Sequence, residues 1–269
     1  ISAGALAALY PDDLGIVTLL VLLSIAAILG DTVNYLLGRA IEITPIATTF
    51  AEIERALARE HGVRFIIGID EVGRGAIAGP VAVGAALIDV TTADGWPSEL
   101  RDSKLMSEKA RERNAPLVAA WVLASGIGMT PASRIESDGI VRSLELAGAA
   151  ALGELLASAR VDRAALAHDG CLVVLDGSHN WLGGSAYGLN VVTKTKADRD
   201  CVSVACASVL SKVARDRLMI ALDDELPAYG YAGHKGYAAP VHIAALRELG
   251  PSGEHRLSWL TKILAGEDA

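Results

Sequence analysis

The sequence predicts an α/β layered domain, on three observations. Beyond residue 62, Val- and Ile-rich runs of strand length alternate with longer Ala- and Leu-rich runs of helical character, the pattern of strands joined by covering helices. Cys171 to Leu175 is an unbroken apolar run, as expected of a strand covered on both faces. The first two strand-like runs are joined across a glycine-rich connection, Gly73 to Pro80, which suits a turn rather than a continued element.

Taken in order, Phe50 to Glu60 is helix-like and leads into this part of the chain. Arg64 to Asp70 and Val81 to Val90 read as strands. Ser107 to Ala124 reads as a helix, with Ser107 and Glu108 at its start. Gly126 to Thr130 is a short strand, and Ile140 to Arg160 an Ala/Leu-rich helix. After the strand at Cys171, a long helix is predicted from Cys201 to Leu226, carrying Lys212, Arg215 and Asp216, and a further helix from Pro240 to Leu249. Asp216 reads as structural, the inner half of an Arg-Asp pair. No internal repeat or low-complexity tract interrupts the series.

A chain of 269 residues has room for one large domain or two small ones. Hydrophobic residues make up 52% and aromatics only 4%, so the core is built from Ala, Val, Leu and Ile. The net charge of −8 argues against coating nucleic acid through an overall field. A local basic groove is still allowed: Lys194 to Arg217 holds six basic residues against three acidic ones, as a phosphate-facing surface would. A solvated helix face would give the same count. Cys171, Cys201 and Cys206 are odd in number and lack metal-ligand spacing, so buried, reduced thiols in a reducing cytoplasm are expected. No histidine falls in a ligand or triad arrangement, which leaves zinc chemistry and covalent nucleophilic catalysis without candidates.

Residues 1–49 are of a different kind. Leu14 to Gly30 is seventeen residues without a charge, short of the roughly twenty that usually span a bilayer. No Lys or Arg precedes it and no clear small-residue cleavage site follows, so it makes a poor signal peptide. Gly30 to Arg39 resembles a stretch of DedA-type integral membrane proteins, and a chain starting at Ile reads as a fragment or a fusion. A membrane-like leader, a fusion-derived one and an apolar helix docked on the following domain all stay open. Membrane contact is expected through residues 1–49 alone, and residues 50–269 form the domain that carries chemistry.

That chemistry centres on Ile69-Asp70-Glu71-Val72-Gly73-Arg74-Gly75, followed by Ala78-Gly79-Pro80. Two adjacent carboxylates end an apolar strand, where desolvation is unfavourable unless a positive partner is present. A divalent cation is the matching partner. The glycines allow backbone groups close to a ligand, and Arg74 supplies a fork suited to phosphate. Asp176 likewise follows an apolar strand and precedes Gly177, a ligand position at the mouth of a sheet, although an aspartate opening a turn is the plainer reading.

This string resembles the signature of the prokaryotic ribonuclease HII family, and further motifs follow in the family's order. These are Asp102-Ser103-Lys104, Leu175-Asp176-Gly177, Lys196-Ala197-Asp198 with Ala207 to Asp216, His234-Lys235-Gly236-Tyr237, and Gly250-Pro251 with His255-Arg256. The likeness covers roughly residues 50 to 260. It implies the ribonuclease H fold, a mixed five-strand sheet with a helical C-terminal extension. It also implies a catalytic and metal-binding set of Asp70, Glu71, Asp176 and Asp198, holding two Mg²⁺ or Mn²⁺ ions about 4 Å apart with substrate bound. Asp200 lies two residues from Asp198, and alignment on Ser208 favours Asp198.

For the substrate, the resemblance implies RNA–DNA hybrids and DNA duplexes containing ribonucleotides, cut 5′ of the ribonucleotide to leave 3′-hydroxyl and 5′-phosphate ends. Backbone groups of Gly73, Arg74 and Gly75 suit recognition of a 2′-hydroxyl, which both donates and accepts. Tyr237 resembles the family's tyrosine that packs on the sugar at the cleavage junction. Ser103, Lys104, Lys194 and Lys196 are expected to contact phosphate. Two departures stand near the site: Ala238-Ala239 where Gly-Thr is usual, and Ala197 where glycine is usual. The related HIII enzymes usually carry threonine in place of Arg74 and an N-terminal DNA-binding domain, so HII is the better match. A monomeric cytoplasmic enzyme is expected. The competing readings are a nucleic-acid-binding module with a decayed site, against which the intact carboxylate set argues, and a membrane fragment whose function lies in residues 1–49.

Overall fold

The structure is a computed structural model that describes residues 46–264; the leader expected over residues 1–49 lies almost wholly outside them. The strands are β1 (Phe65–Val72), β2 (Val81–Asp89), β3 (Ala124–Thr130), β4 (Cys171–Asp176) and β5 (Asn190–Lys194), arranged β3-β2-β1-β4-β5. The β1–β2 and β2–β3 pairs are antiparallel, while β1–β4 and β4–β5 are parallel. The helices are α1 (Ile46–His61), α2 (Glu108–Trp121), α3 (Ala132–Asp138), α4 (Ile140–Ala157), α5 (Arg163–Asp169), α6 (Ala197–Asp200), α7 (Val202–Glu225), α8 (Tyr231–His234), α9 (Pro240–Leu249) and α10 (Thr261–Leu264). The mixed five-strand sheet is the expected one.

Each face of the sheet has its own core. The period-two alternation of β1 sends Ile66 and Gly68 toward α7, and Ile67 and Ile69 toward the α4 side. Gly68 is glycine because α7 lies directly on the strand: a Cβ there would stand 2.3 Å from the backbone of Ser203 and Val204. A third cluster, around Ile77, Met219, Tyr231, Leu246 and Leu260, joins the C-terminal helices to the connection that follows β1. Cys171, Cys201 and Cys206 are buried and free, as expected. Among the described residues no helix is long and apolar enough to cross a membrane.

The element bounds differ from the sequence reading in instructive places. Ser107 caps α2, accepting from Ala110 N–H at 3.2 Å. The helix ends at Trp121 rather than Ala124, because the Leu123 N–H joins the sheet by donating to Leu87 O at 2.9 Å. The strand β5 has no counterpart in the element-by-element reading. It is a half-exposed edge strand with two apolar residues in five, too little signal to register.

A buried carboxyl in α1 organises the start of α7. Glu54 accepts from Val202 N–H and Ser203 N–H, each at 3.0 Å, and from the Ser203 hydroxyl, satisfying helix N-terminal donors that have no intrahelical partner. Burial pushes this carboxyl up to about 7 against those donors. An acid raised in the folded state contributes most below its unfolded value of 4.5, and that contribution is lost as pH rises through 7. The expected result for Glu54→Gln is therefore a gap to wild type that moves in the variant's favour from pH 4.5 to 7. The movement should reach at most about 3 kcal/mol, read from urea midpoints along the pH series. A gap that stays constant would mean that Glu54 titrates as an exposed carboxyl does.

Candidate active site

Parallel pairing of β1 with β4 brings Ile69 opposite Leu175, so Asp70 and Asp176 follow at adjacent strand ends. Both continue the alternation that faces α7. Asp176 Oδ1 accepts the Ala197 N–H at 2.7 Å, which ties α6 to the strand end and delivers Asp198 beside it. Asp198 is buried and receives Lys104 Nζ at 3.2 Å. Glu71 is next to Asp70 in β1 and pairs with Arg74 Nη1 at 3.3 Å. Asp200 turns elsewhere, to Lys194 Nζ at 2.6 Å. The four carboxylates expected from the sequence thus share one neighbourhood, with Asp198 rather than Asp200 as its fourth member.

Their charges act on one another. Burial pushes Asp70 up to about 8; the Ser208 hydroxyl opposes this, and the charges of Glu71 and Asp176 add to it. Glu71 is raised by burial, with Arg74 opposing and Asp176 adding. Asp198 is raised by burial and by the charges of Asp176 and Asp102. Burial works against the Lys104 ammonium, but Asp70, Asp198 and Asp102 hold its pKa above the usual lysine value.

Such a set of hard oxygen donors, raised by burial and by one another, fits a divalent cation. Among the described residues no three His, Cys, Asp or Glu side chains enclose an ion by themselves. Oxygens of Glu71, Asp176 and Asp198 are engaged by Arg74, Ala197 N–H and Lys104. Mg²⁺ is commonly held by one or two carboxylates, with water and substrate phosphate completing its shell, so the donors present suit an open site.

The phosphate candidates separate by exposure. The Lys104 side chain is 65% exposed. Ser103 is buried, and its hydroxyl is 2.8 Å from that of Ser208, so it supports the turn that carries Lys104 instead of facing solvent. Lys196 is exposed and caps α6 in a left-handed conformation, φ 60°. The Lys194 ammonium is engaged by Asp200. Asp216 is structural, as read: it is buried and holds Lys212 Nζ at 2.5 Å and Arg111 Nη2 at 3.5 Å.

The turn beyond Glu71 is held from beneath by two arginines whose role the sequence reading missed. Arg256 is fully buried and donates to the carbonyls of Gly73 and Arg74, both at 2.8 Å, and of Gly79 at 3.0 Å. Arg215 is also fully buried and donates to Pro80 O at 2.8 Å, Lys235 O at 2.9 Å and Ala78 O at 3.1 Å. No carboxylate pairs with either guanidinium among these contacts. Gly73 has φ +77°, and a Cβ on it would strike Arg215 Nε at 2.1 Å. Gly75 differs, because a Cβ there would meet nothing within 4 Å.

Two further segments are laced to this turn. Ile77 and Ala78 N–H both donate to Gly236 O, at 2.9 and 3.1 Å, and Gly79 N–H donates to Glu254 O at 2.8 Å. Tyr237, 38% exposed, therefore projects from a loop fixed to the same scaffold, with its ring 5.7 Å from the Arg215 guanidinium carbon. Behind it lie His242 and His255, both buried. Burial lowers the pKa of both and brings His255 down to about 4.

Comparison with known proteins places the family and the fold. The family model for Ribonuclease HII matches residues 67–262. The Ribonuclease HII of Streptomyces coelicolor is 41% identical over 207 residues, covering 77% of this chain and 82% of that protein. Among solved structures, the ribonuclease H2 of Pyrococcus horikoshii superposes with a TM-score of 0.58 at 21% identity, covering 76% of this chain and 98% of its own. Bst-RNase HIII, solved in complex with Mn²⁺, superposes with a TM-score of 0.57 at 21% identity, over 79% and 73% of the two chains. At that identity these two likenesses speak for the fold.

Proposed function

The chain belongs to the ribonuclease HII family and is a ribonuclease H endonuclease, and from that premise we propose that it cuts 5′ of ribonucleotides embedded in duplex DNA as well as within RNA–DNA hybrids. The products are 3′-hydroxyl and 5′-phosphate ends. The observation that carries this reading is the Gly73-Arg74-Gly75 turn, separated from Asp70 and Glu71 by Val72 alone, with open space where Gly75 lacks a side chain. A backbone held rigid from below and bare above lets an N–H and a carbonyl meet one 2′-hydroxyl.

Asp70, Glu71, Asp176 and Asp198 are the residues that would hold divalent ions, Mg²⁺ or Mn²⁺, two with substrate bound. Bound there, the ions supply a hydroxide-like nucleophile, neutralise the scissile phosphate and stabilise the leaving oxygen. The chain's own residues do the rest. Lys104, exposed beside Asp198, offers its ammonium to a backbone phosphate. Arg74, half-exposed next to Glu71, offers a fork to a second phosphate, and Lys194 and Lys196 extend the basic margin. Tyr237 presents a ring face to the sugar at the RNA–DNA junction, while the hydrogen bonds between its loop and the turn set the distance from that ring to the 2′-hydroxyl reader. The active unit on this reading is a monomer.

The test uses a DNA duplex carrying one ribonucleotide, incubated with Mg²⁺ or Mn²⁺, with the cut mapped at nucleotide resolution. The expected product is a single cut on the 5′ side of the ribonucleotide, abolished by EDTA. Cleavage of long hybrids alone would keep the nuclease and discard the junction reading.

A further inference from the structure

The carbonyl of Tyr237 is the end of a hydrogen-bonded chain through two buried imidazoles, and the chain has a direction. The Ser252 N–H, which can only donate, meets His255 Nδ1 at 2.9 Å. His255 Nδ1 is therefore an acceptor, and the proton of the neutral ring sits on Nε2. That nitrogen is 3.0 Å from His242 Nε2, which must accept. The His242 proton is then on Nδ1, 2.8 Å from Tyr237 O, a group that can only accept. Both ends are fixed by groups of single polarity, so one pair of tautomers satisfies the chain from Ser252 to Tyr237. The Tyr231 hydroxyl, 3.3 Å from His255 Nε2 and 3.4 Å from Nδ1, can donate or accept and so does not alter it. A second proton on either ring would set N–H against N–H at the Nε2 pair or at the Ser252 amide.

The surroundings preserve this order. The His234 ring stacks on His242 with centroids 4.2 Å apart, Tyr229 lies 4.9 Å from His255, and Tyr231 packs against both imidazoles. The Ser252 hydroxyl, 2.9 Å from His255 Nδ1, can donate to the same acceptor. None of these contacts supplies a carboxylate to favour an imidazolium. His255 also pairs with Ala78 through the backbone, so the relay is tied at one end to the connection that carries Gly73 to Gly75 and at the other to Tyr237.

We propose that His242 and His255 are positioning residues, a directional imidazole pair that fixes Tyr237 relative to the Gly73–Gly75 turn and so sets discrimination at the ribonucleotide junction. This rests on the junction reading given above and extends it to two residues that touch neither substrate nor ion. It separates two roles that ordinary packing would merge, because, of the protons on the two imidazoles, only that on His242 Nδ1 reaches Tyr237, whose carbonyl also accepts the Ala239 N–H at 2.8 Å.

The amide nitrogen of asparagine can take the place of Nδ1, whereas that of glutamine falls near Nε2. Both replacements remove the ring from its stack. Steady-state cleavage of a duplex with one ribonucleotide is measured for wild type, His242→Asn and His242→Gln, with thermal midpoints for all three. Expected are similar midpoints for the two variants, kcat/KM for His242→Asn within about threefold of wild type, and about a tenfold loss for His242→Gln. Equal kcat/KM values for the two variants would overturn the proposal and leave the histidines as packing. Imidazole ¹⁵N shifts of the wild-type protein give an arm independent of activity: His242 protonated on Nδ1 and His255 on Nε2 are expected, and the reverse assignment overturns the relay. If wild type fails to cut at single ribonucleotides while the tautomers come out as expected, the junction reading has failed and the relay has not.

Discussion

Asp70→Asn is expected to lower kcat by about a thousandfold or more while leaving RNA–DNA hybrid binding nearly unchanged. The several kcal/mol of charge stabilisation that a metal centre contributes corresponds to that loss at about 1.4 kcal/mol per decade. Binding survives because Asp70 is buried at the strand end, whereas the cations and backbone groups proposed to meet phosphate and sugar lie on the surrounding turns. The same variant has a second signature, in stability. Burial pushes the Asp70 carboxyl up to about 8 from an ordinary 3.8, so without metal its contribution to stability is largest below 3.8 and is lost as pH rises through 8. Asparagine has nearly the same shape and no charge to bury. At pH 8 and without divalent ions the variant should therefore unfold at a higher temperature than wild type. Adding Mg²⁺ should raise the wild-type midpoint and leave the variant's almost unmoved, since binding to the native state alone is what stabilises it. Cleavage at wild-type rate, or equal stabilisation of both proteins by Mg²⁺, would remove Asp70 from the metal site.

The carboxylates were legible in the sequence because their positions contradict their surroundings. Asp70 and Glu71 close an apolar strand, and Asp176 closes another, where a side chain serving only the core would be apolar. Asp198 was less legible, since Asp200 has the same local context; the two are told apart by Lys194, which takes Asp200, and by the Ala197 N–H, which brings Asp198 to Asp176. The first is local, but the second joins two separate motifs 21 residues apart, a range that neither motif encodes by itself. Glu54, Arg215, Arg256 and His242 left almost no trace of their roles. Each acts largely on backbone N–H groups or carbonyls, and a backbone partner leaves no residue type to read. Arg215 in particular sits in a stretch of α7 with Lys212, Asp216 and Arg217, where a solvated helix face would look the same. The mixed five-strand sheet was reached through the family likeness, whereas its strand order was not read at all and β5, a short edge strand, offered too few apolar residues to be seen from pattern alone.

Replacing Arg256 tests whether that backbone scaffold governs function. Its guanidinium is fully buried, lies 4.9 Å from the centre of the Trp259 ring, and holds the carbonyls of Gly73, Arg74 and Gly79 with a planar fork. Burial, and then the neighbouring Arg215 charge, lower its pKa to about 10, and the converging carbonyls, the Trp259 ring and the Glu136 charge are what offset the desolvated cation. Arg256→Met keeps much of the side-chain volume and removes every donor. Leaving buried acceptors unpaired costs about 1–3 kcal/mol each, so a loss of more than about 3 kcal/mol in unfolding free energy is expected. Arg256→Lys keeps the charge but not the fork, since an ammonium is a point donor. It should remain folded at 25 °C with circular dichroism like that of wild type. Because the turn it loosens is the proposed reader of the 2′-hydroxyl, kcat/KM on the single-ribonucleotide duplex should fall about a hundredfold, the scale expected when a reacting group is misplaced by about 1 Å. Stabilisation by Mg²⁺ should persist in the lysine variant, because the four carboxylates do not touch Arg256. Loss of that stabilisation would mean that the turn and the metal site move as one body. Unchanged cleavage by the lysine variant would mean that Arg215 and the Gly236 contacts hold the turn without it.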